Sequence, residues 1–218
     1  MFNVITIPMR TSGKTPMTKT TRDDVKISAA PINAEGLAAS VRAAGPVASV
    51  RAAGRGGPPP VHLWHPPFCG DIDMRIGRDG TWFYLGTPIG RPELVRLFAG
   101  IIRREGDAYF LVTPVEKVGI TVDDAPFVAV DFDTGPDGLT FVTNVGDTVL
   151  AGPDHPIRVT RDATTGEPRP YILVRANLEA LIDRKSFYRL VDIGEHRDGW
   201  FGLASGGSFF RVIESTEL

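Results

Sequence analysis

The sequence predicts an α+β fold, with a duplicated two-domain core of antiparallel strands and one main helix in each half. Three observations lead to this fold class. Short runs that alternate apolar and polar residues are separated by Asp-Gly and Gly-Pro turns, as in antiparallel sheets. Two segments place apolar residues at helical spacing. A pattern around the first of these segments returns 93 residues later, which indicates a duplication.

Composition bounds the size of the core and the classes of function. With 218 residues, of which 42% are hydrophobic, the chain can bury one large core or two small ones. It has no run of 18 apolar residues and no secretory signal at its start, so we expect a cytoplasmic protein that does not enter a membrane. Cys69 is the only cysteine, which excludes an internal disulfide and a four-cysteine zinc site. The net charge of −2 argues against a dedicated surface for duplex DNA.

Residues 1–57 differ in composition from the rest of the chain. They carry eight Lys or Arg against three acidic residues and contain one aromatic residue. We predict a flexible basic N-terminal segment, because so little apolar surface cannot offset the entropy lost on ordering. Within it the heptapeptide ASVRAAG occurs at 39–45 and at 48–54, and the first copy, extended back to Asn33, predicts a short helix that stops at Gly45. A solvated linker is our interpretation, and contact with nucleic acid or anionic lipid is the alternative.

The first domain is expected to span residues 58–115. The run at 72–76 alternates apolar with polar residues, and an Arg-Asp-Gly turn leads from it into TWFYLG, so these segments predict a β-hairpin. The segment GRPELVRLFAGIIRREG then predicts the best-defined helix of the chain. This helix has Pro92 in its first turn and Arg103 and Arg104 in its last. The run YFLVT follows as a strand.

The second domain is expected to span residues 116–218. Five strand-like runs follow one another: KVGITV, PFVAVDF, LTFVT, PIRVT and YILVR. A second helix is predicted from Arg184 to Val191, and the segment WFGLASGGSFFRV predicts a closing hairpin. The pattern Ile-x-Arg-x-x-apolar-apolar-Arg-Leu-apolar begins at Ile89 and again at Ile182, so a duplication would give two α+β halves. Chance similarity between two amphipathic helices is the alternative.

The stretch VHLWHPPFCGDIDMRI has the densest chemistry of the chain. His62 and His65 share one side of a polyproline-like segment, which would allow two-histidine ligation of a metal. A zinc ion would still need Cys69 or Asp71, and no established metal motif supports such a site. We therefore expect surface and packing roles here, with no metal, no cofactor and no catalytic residue. The alternative, a metal-assisted hydrolase, would be centred on His62, His65, Asp71 and Asp73.

Several segments of the body, from Pro58 to the C-terminus, resemble the bacterial proteins of unknown function called DUF1285. These segments are WHPPFCGDID, DGTWFYLGTPI, LVTPVEKVGITVDDAPF, TNVGD and VRANLEALIDR. The resemblance implies a duplicated core, a second half similar to pleckstrin-homology folds and a ligand site between the halves. It also implies a nucleotide-like or nucleic-acid-based ligand and a role in signal transduction.

The groove between two packed halves is the natural place for a pocket, because ligand sites favour such junctions. Arg175 is the strongest candidate for holding an anion there, since a guanidinium group can bind a phosphate or carboxylate with two hydrogen bonds. A salt bridge from Arg175 to Glu179 is the alternative. The predicted ligand-binding residues are Asp73, Arg75, Glu116, Lys117, Asn144 and Arg175.

These observations predict a non-enzymatic protein that binds a small anionic ligand between its two domains and relays its presence. The metal-assisted hydrolase is one alternative. A protein-interaction module that uses the acidic body and the basic N-terminal segment is another.

Overall fold

The computed structural model describes residues 35–36, 38–39 and 59–217. Its fifteen strands are β1 (Phe68–Ile76), β2 (Trp82–Tyr84), β3 (Thr87–Pro88), β4 (Ile102–Glu105), β5 (Ala108–Val112), β6 (Lys117–Val122), β7 (Phe127–Gly135), β8 (Gly138–Thr143), β9 (Thr148–Leu150), β10 (Ile157–Arg161), β11 (Pro168–Arg175), β12 (Leu178–Ile182), β13 (Glu195–Arg197), β14 (Trp200–Ser205) and β15 (Ser208–Glu214). Within residues 59–217 its helices are α1 (Pro92–Ala99) and α2 (Arg184–Asp192), with short 3-10 turns at Val61–Leu63 and Ser215–Glu217.

The strands form two six-stranded sheets and one three-stranded sheet. The first sheet has the order β3-β2-β1-β6-β5-β4, the second has the order β10-β11-β12-β7-β8-β9, and the third has the order β13-β14-β15. Each set of three consecutive strands is therefore an antiparallel meander. The two large sheets are each made of two meanders joined by one parallel pair, β1 with β6 and β12 with β7. The fold is mostly antiparallel, as predicted, and these two parallel pairs were not predicted.

The two halves of the chain are duplicated. β1 to β6 and β7 to β12 have the same topology, with the first strand of each half next to the last. The 93-residue repeat also relates real elements, since α1 shifted by 93 residues falls within α2, and β4 falls on β13. The helices nevertheless occupy different positions in the order of elements. α1 connects the third and fourth strands of its half, and α2 follows the sixth strand of its half.

The first hairpin forms as predicted. In β1, Met74 and Ile76 are buried and Ile72 is half-buried, while the intervening polar residues are exposed. The period of two follows from the pleat of a strand, which turns successive side chains to opposite faces. β1 pairs antiparallel with β2 on one side, so that Ile76 lies opposite the buried Trp82. On its other side it pairs with β6.

The first helix is shorter than predicted. α1 ends at Ala99, and Arg103 and Arg104 lie in β4 rather than in a last helical turn. β4 turns back at Gly106, whose φ of +60° suits a residue without a Cβ, and pairs with β5. Pairing with the sheet overrides the helical spacing here, because Ile102 is buried equally well in a strand.

The second helix begins and ends close to its predicted positions. The side chain of Asp183 accepts a hydrogen bond from Ser186 N at 2.7 Å and so caps α2. This bond satisfies one of the backbone N–H groups that every helix leaves without a partner at its N-terminus. The closing hairpin of β14 and β15 also forms as predicted.

One hydrophobic core extends through both halves. The largest side chains that are fully buried in it include Trp82 and Phe98 from the first half, and Phe127 and Phe141 from the second. Trp82 and Phe98 stack with their ring centroids 6.2 Å apart, which packs α1 against the first hairpin. A core that is shared in this way fixes the two halves against each other.

The predicted boundaries can be compared with the sheets. β6, which lies after the predicted boundary at residue 115, belongs to the first sheet.

Of the predicted N-terminal segment, residues 35–36 and 38–39 are helical and Ala38 is buried in the core, while its other predicted features lie outside the described residues. Among the described residues, no helix has the length and apolar character required to cross a membrane.

Candidate functional site

Asn144, the residue after β8, joins the two halves through a contact with the start of β7. Its Oδ1 accepts a hydrogen bond from Val128 N at 3.0 Å, and its Nδ2 donates one to the carbonyl oxygen of Gly80 at 3.3 Å. Gly80 belongs to the turn between β1 and β2, so one amide side chain satisfies backbone groups of both halves. The oxygen and the nitrogen of the Asn144 side-chain amide each make one hydrogen bond in this structural contact.

Arg175 joins the halves a short distance away. Its Nη2 donates a hydrogen bond to the carbonyl oxygen of Ala99 at 2.7 Å, at the end of α1, and its Nη1 forms an ion pair with Asp147. The guanidinium carbon also lies 4.6 Å from the ring centroid of Phe127, a cation–π distance. Its predicted alternative partner, Glu179, instead pairs with Arg158. Arg175 and Asn144 thus meet at neighbouring residues of β7.

A cavity of about 330 Å³ opens beside Arg175, between the halves. The first half contributes Arg103, Ile102 and residues 59–62, and the second half contributes Arg175 together with residues 176–178. The walls are mostly apolar. Arg103 and Arg175 line this cavity from the two halves, and its lining includes His62 but no acidic residue.

Arg103 is held in place by backbone acceptors of the segment before β1. Its Nη1 donates hydrogen bonds to the carbonyl oxygens of Trp64, at 2.7 Å, and Val61, at 3.3 Å. Its Nη2 pairs with Glu105, and its Nε is buried without a hydrogen-bond acceptor. A buried donor without an acceptor is unusual in a folded protein and marks a position where an additional acceptor would be stabilising. Sequence reasoning missed Arg103 as a site residue because it assigned this arginine to the last turn of a helix.

Asp73 and Arg75 lie on the exposed face of β1, away from the cavity lining. Arg75 pairs with Asp123 at 2.5 Å and lies 4.7 Å from the ring centroid of Phe83. Its guanidinium group is therefore engaged with the segment that links the two halves. Asp73 accepts a hydrogen bond from Leu85 N through its main-chain oxygen at 2.9 Å.

Glu116 and Lys117 lie at the start of β6. Thr113 Oγ1 accepts a hydrogen bond from Glu116 N at 3.1 Å, which closes the turn before the strand. Lys117 Nζ donates to Glu105 at 3.0 Å and lies 4.6 Å from the ring centroid of Phe110. The bond from Lys117, with that from Arg103, lowers the pKa of the Glu105 carboxyl below its ordinary value. Lys117 lines a separate open depression that also includes Asp71.

The structure therefore brings two of the six predicted residues together, Asn144 and Arg175. One of these, Arg175, lines the cavity between the halves. As to the alternative metal site, no group of three or more His, Cys, Asp or Glu within the described part of the chain could hold a metal ion. Cys69 is exposed, with its thiol donating to the carbonyl oxygen of Pro67 at 3.4 Å.

Two family models cover most of the described chain. The model described as "Domain of unknown function (DUF1285), N-terminal domain" matches residues 59–125, and the model described as "Protein of unknown function (DUF1285), C-terminal domain" matches residues 126–212. The chain belongs to the DUF1285 family. The resemblance seen in the sequence is thereby confirmed, and the two family domains meet between β6 and β7.

Two solved structures of DUF1285 proteins are similar to this chain. The first is a crystal structure of a DUF1285 family protein from Silicibacter pomeroyi DSS-3, with 65% sequence identity and a TM-score of 0.72. The match covers 78% of this chain and 95% of that protein's chain. The second is a crystal structure of a DUF1285 family protein from Shewanella baltica OS155, with 30% sequence identity and a TM-score of 0.45. The match covers 55% of this chain and 90% of that protein's chain. The comparison with curated proteins found no match.

Proposed function

We propose that this DUF1285 protein is a non-enzymatic binding protein that holds a small anionic, nucleotide-like ligand between its two domains and acts in signal transduction. One observation carries the proposal. Arg103 from the first domain and Arg175 from the second line the same cavity of about 330 Å³. A ligand bound there would touch both domains, so its presence would alter how firmly they are held together.

The electrostatics of the cavity favour an anion. Its lining includes two arginines and no acidic residue, while their acidic partners, Asp147 and Glu105, are outside that lining. Guanidinium groups suit phosphate and carboxylate because their donors form a planar fork. Mostly apolar walls with a few convergent polar groups are typical of small-molecule sites, and the volume lies at the lower end of their usual range of roughly 300–1,000 Å³.

The signalling role rests on the domain junction. Arg175 also donates to the last residue of α1, so a ligand that competes for this guanidinium would weaken a contact between the domains. Such competition is a physical route from binding to a change in the contacts between the domains. The likeness of the second half to pleckstrin-homology folds is part of the same proposal, supported by the order of two meanders followed by α2.

Isothermal titration calorimetry with mononucleotides and short oligonucleotides tests the proposal. We expect at least one of them to bind the wild-type protein, and Arg175→Lys to weaken that binding by about tenfold, because lysine keeps the charge but loses the fork. Arg158→Lys is the matched control. Arg158 also pairs with a carboxylate, of Glu179, and stacks on an aromatic ring, that of Tyr171, but it does not line the cavity.

Circular dichroism and thermal unfolding would establish that both variants are folded. Binding that falls equally in both variants would place the ligand elsewhere. If no phosphorylated compound binds the folded wild-type protein, the proposed function is wrong.

A further inference from the structure

Three arginines line a second cavity, at a different place on the molecule. This cavity has a volume of about 400 Å³ and lies against β11, β12 and the start of α2. Arg78 reaches it from the turn between β1 and β2, Arg169 from β11 and Arg184 from the first turn of α2. Three arginines from three separate segments therefore line the same cavity.

Two of the three arginines of this cavity, Arg78 and Arg184, are only loosely paired, whereas Arg169 pairs closely with Asp162. Arg184 lies 3.6 Å from Glu167 and its side chain is 73% exposed, and Arg78 lies 3.6 Å from Asp124 with 59% of its side chain exposed. These distances allow an ion pair but exceed those of a hydrogen bond. A guanidinium group has five N–H donors, of which Arg184 gives one to the hydroxyl of Tyr188 at 3.0 Å. Donors therefore remain for a ligand.

Two of the three acids in the same lining accept hydrogen bonds from protein groups. Asp183 accepts the capping bond of α2, and Asp124 accepts a hydrogen bond from the hydroxyl of Tyr171 at 2.8 Å. The Asp124 side chain is 10% exposed. Glu167, the third acid of the lining, is 62% exposed and lies 3.6 Å from Arg184. The exposed side chains at the cavity are thus two arginines, Arg78 and Arg184, and one carboxylate, Glu167.

A third cavity, of about 240 Å³, adjoins the second. Arg161 is the one charged residue of its lining. Both cavities include Pro168 and Phe187 in their linings, so they adjoin at these two residues. The apolar cavity is lined further by Val159, Val191, Phe201, Val212 and Ile213, between α2 and the closing sheet.

We propose that the arginine cavity and the apolar cavity form one site for an amphipathic anion. The hydrocarbon body of this ligand lies in the apolar cavity, and its carboxylate or phosphate head lies at Arg184 and Arg78. The two volumes together fall within the usual range for small-molecule sites. Charge complementarity selects an anion over a neutral alcohol, and the apolar lining selects a carbon chain over a free ion. This site is separate from the cavity at Arg175.

The two halves of the ligand should contribute separately to its affinity. Burial of each methylene group strengthens binding by about fourfold until the apolar cavity is full. The head group adds charge-assisted hydrogen bonds, which acetate or inorganic phosphate can also form but without any gain from a buried chain.

Calorimetric titration of the full chain with sodium octanoate, octyl phosphate, octanol and acetate tests this proposal. We expect octanoate or octyl phosphate to bind at least about tenfold more tightly than octanol and acetate. Comparison of the two octyl anions identifies the preferred head group. Butanoate, hexanoate and octanoate should show rising affinity.

Two variants locate the site. Arg184→Ala should weaken octanoate binding by about tenfold, whereas Lys185→Ala, the same loss of charge one residue further along an exposed part of α2, should leave it unchanged. Val191→Phe should shorten the longest chain that binds, because the larger side chain fills the apolar cavity. Val191 is 38% exposed, so a phenylalanine there can be accommodated without unfolding the helix.

The proposal is overturned by any of three results with folded protein. These are octanol binding as tightly as octanoate, equal effects of Arg184→Ala and Lys185→Ala, and the absence of binding by both octyl anions. Arg175→Lys should not affect octanoate binding, which keeps this test independent of the one at the cavity beside Arg175.

Discussion

Asn144 holds Gly80 across the domain junction. The amide nitrogen of Asn144 would lie 2.5 Å from a Cβ atom placed on Gly80, closer than real Cβ contacts come. Gly80 also has a φ of +81°, which residues with a side chain adopt only with strain. The absence of a side chain at Gly80 is therefore required twice, once by the backbone and once by the partner domain.

Gly80→Ala should destabilise the protein by about 2 kcal/mol or more, because strain and a steric clash act together. Gly86→Ala is the matched control. Gly86 has a φ of +72° but nothing within 4 Å of an added Cβ, so this variant should cost only the strain, about 1 kcal/mol. Urea unfolding of both variants gives the comparison. Equal losses of stability would mean that Asn144 moves aside without cost.

Ser205 should be one of the most sensitive polar residues of the second half. Its hydroxyl accepts a hydrogen bond from Leu139 N and donates one to the carbonyl oxygen of Ala151, each at 2.8 Å, and all three residues are buried. Ser205→Ala leaves two buried backbone groups without partners and should lower the free energy of unfolding by about 2 kcal/mol. Ser208→Ala, on the other side of the same turn, should have a much smaller effect in thermal unfolding.

Glu105 predicts a specific dependence of stability on pH. Lys117 and Arg103 lower the pKa of its carboxyl below the ordinary value of 4.5. Its contribution to stability is therefore complete above that value and is lost as the pH falls through the lowered pKa in the folded protein. Glu105→Gln should be less stable than wild type at pH 7, and this difference should shrink below pH 4.5. Thermal midpoints of both proteins between neutral and acidic pH check this.

Glu93→Gln provides the control for that comparison, since Glu93 is an exposed carboxylate in the first turn of α1. A difference between wild type and Glu105→Gln that stays constant into acid would argue against stabilisation of the charged carboxylate.

Gly119 and Asp71 should be coupled energetically. They lie opposite each other in the parallel pair of β1 and β6, and a Cβ on Gly119 would come within 1.9 Å of Asp71 Oδ1. Gly119→Ala alone should be destabilising, and Asp71→Ala in the same chain should relieve most of that loss. A double-mutant cycle measures the coupling, which we expect to be about 1 kcal/mol or more. Simple additivity of the two changes would contradict this expectation.

Much of the secondary structure was predictable because it has local causes. The alternating run of β1 and the capped start of α2 at Asp183 each contain their signal within a few residues. The end of α1 was not predictable in this way, since Ile101 and Ile102 suit a helix and a strand equally. Strands of two or three residues, such as β3 and β13, are too short to show a period.

The candidate site was less predictable than the fold. Arg175 was identified from its chemistry, and it does line a cavity between the halves. Which other residues meet it depends on the parallel pairs and on the packing of α1, and these arise from contacts between distant segments. Lys117 illustrates the difficulty, because it lies in β6 and forms an ion pair with Glu105 there.

The parallel pairs also bear on how the chain assembles during synthesis. Phe68 lies opposite Lys117 in the first half, and Phe127 lies opposite Ala180 in the second. The central ladder of each large sheet therefore joins its earliest strand to its latest. On a ribosome, each half must wait for its sixth strand before this ladder can form, and the first half can complete its ladder while the second is still being made. Until then, β1 and β7 each expose one edge, and each requires a partner strand in the same position of its own half. We therefore expect slow synthesis of the second half to lengthen the time during which the edge of β7 is unpaired, and an unpaired strand edge is open to incorrect pairing.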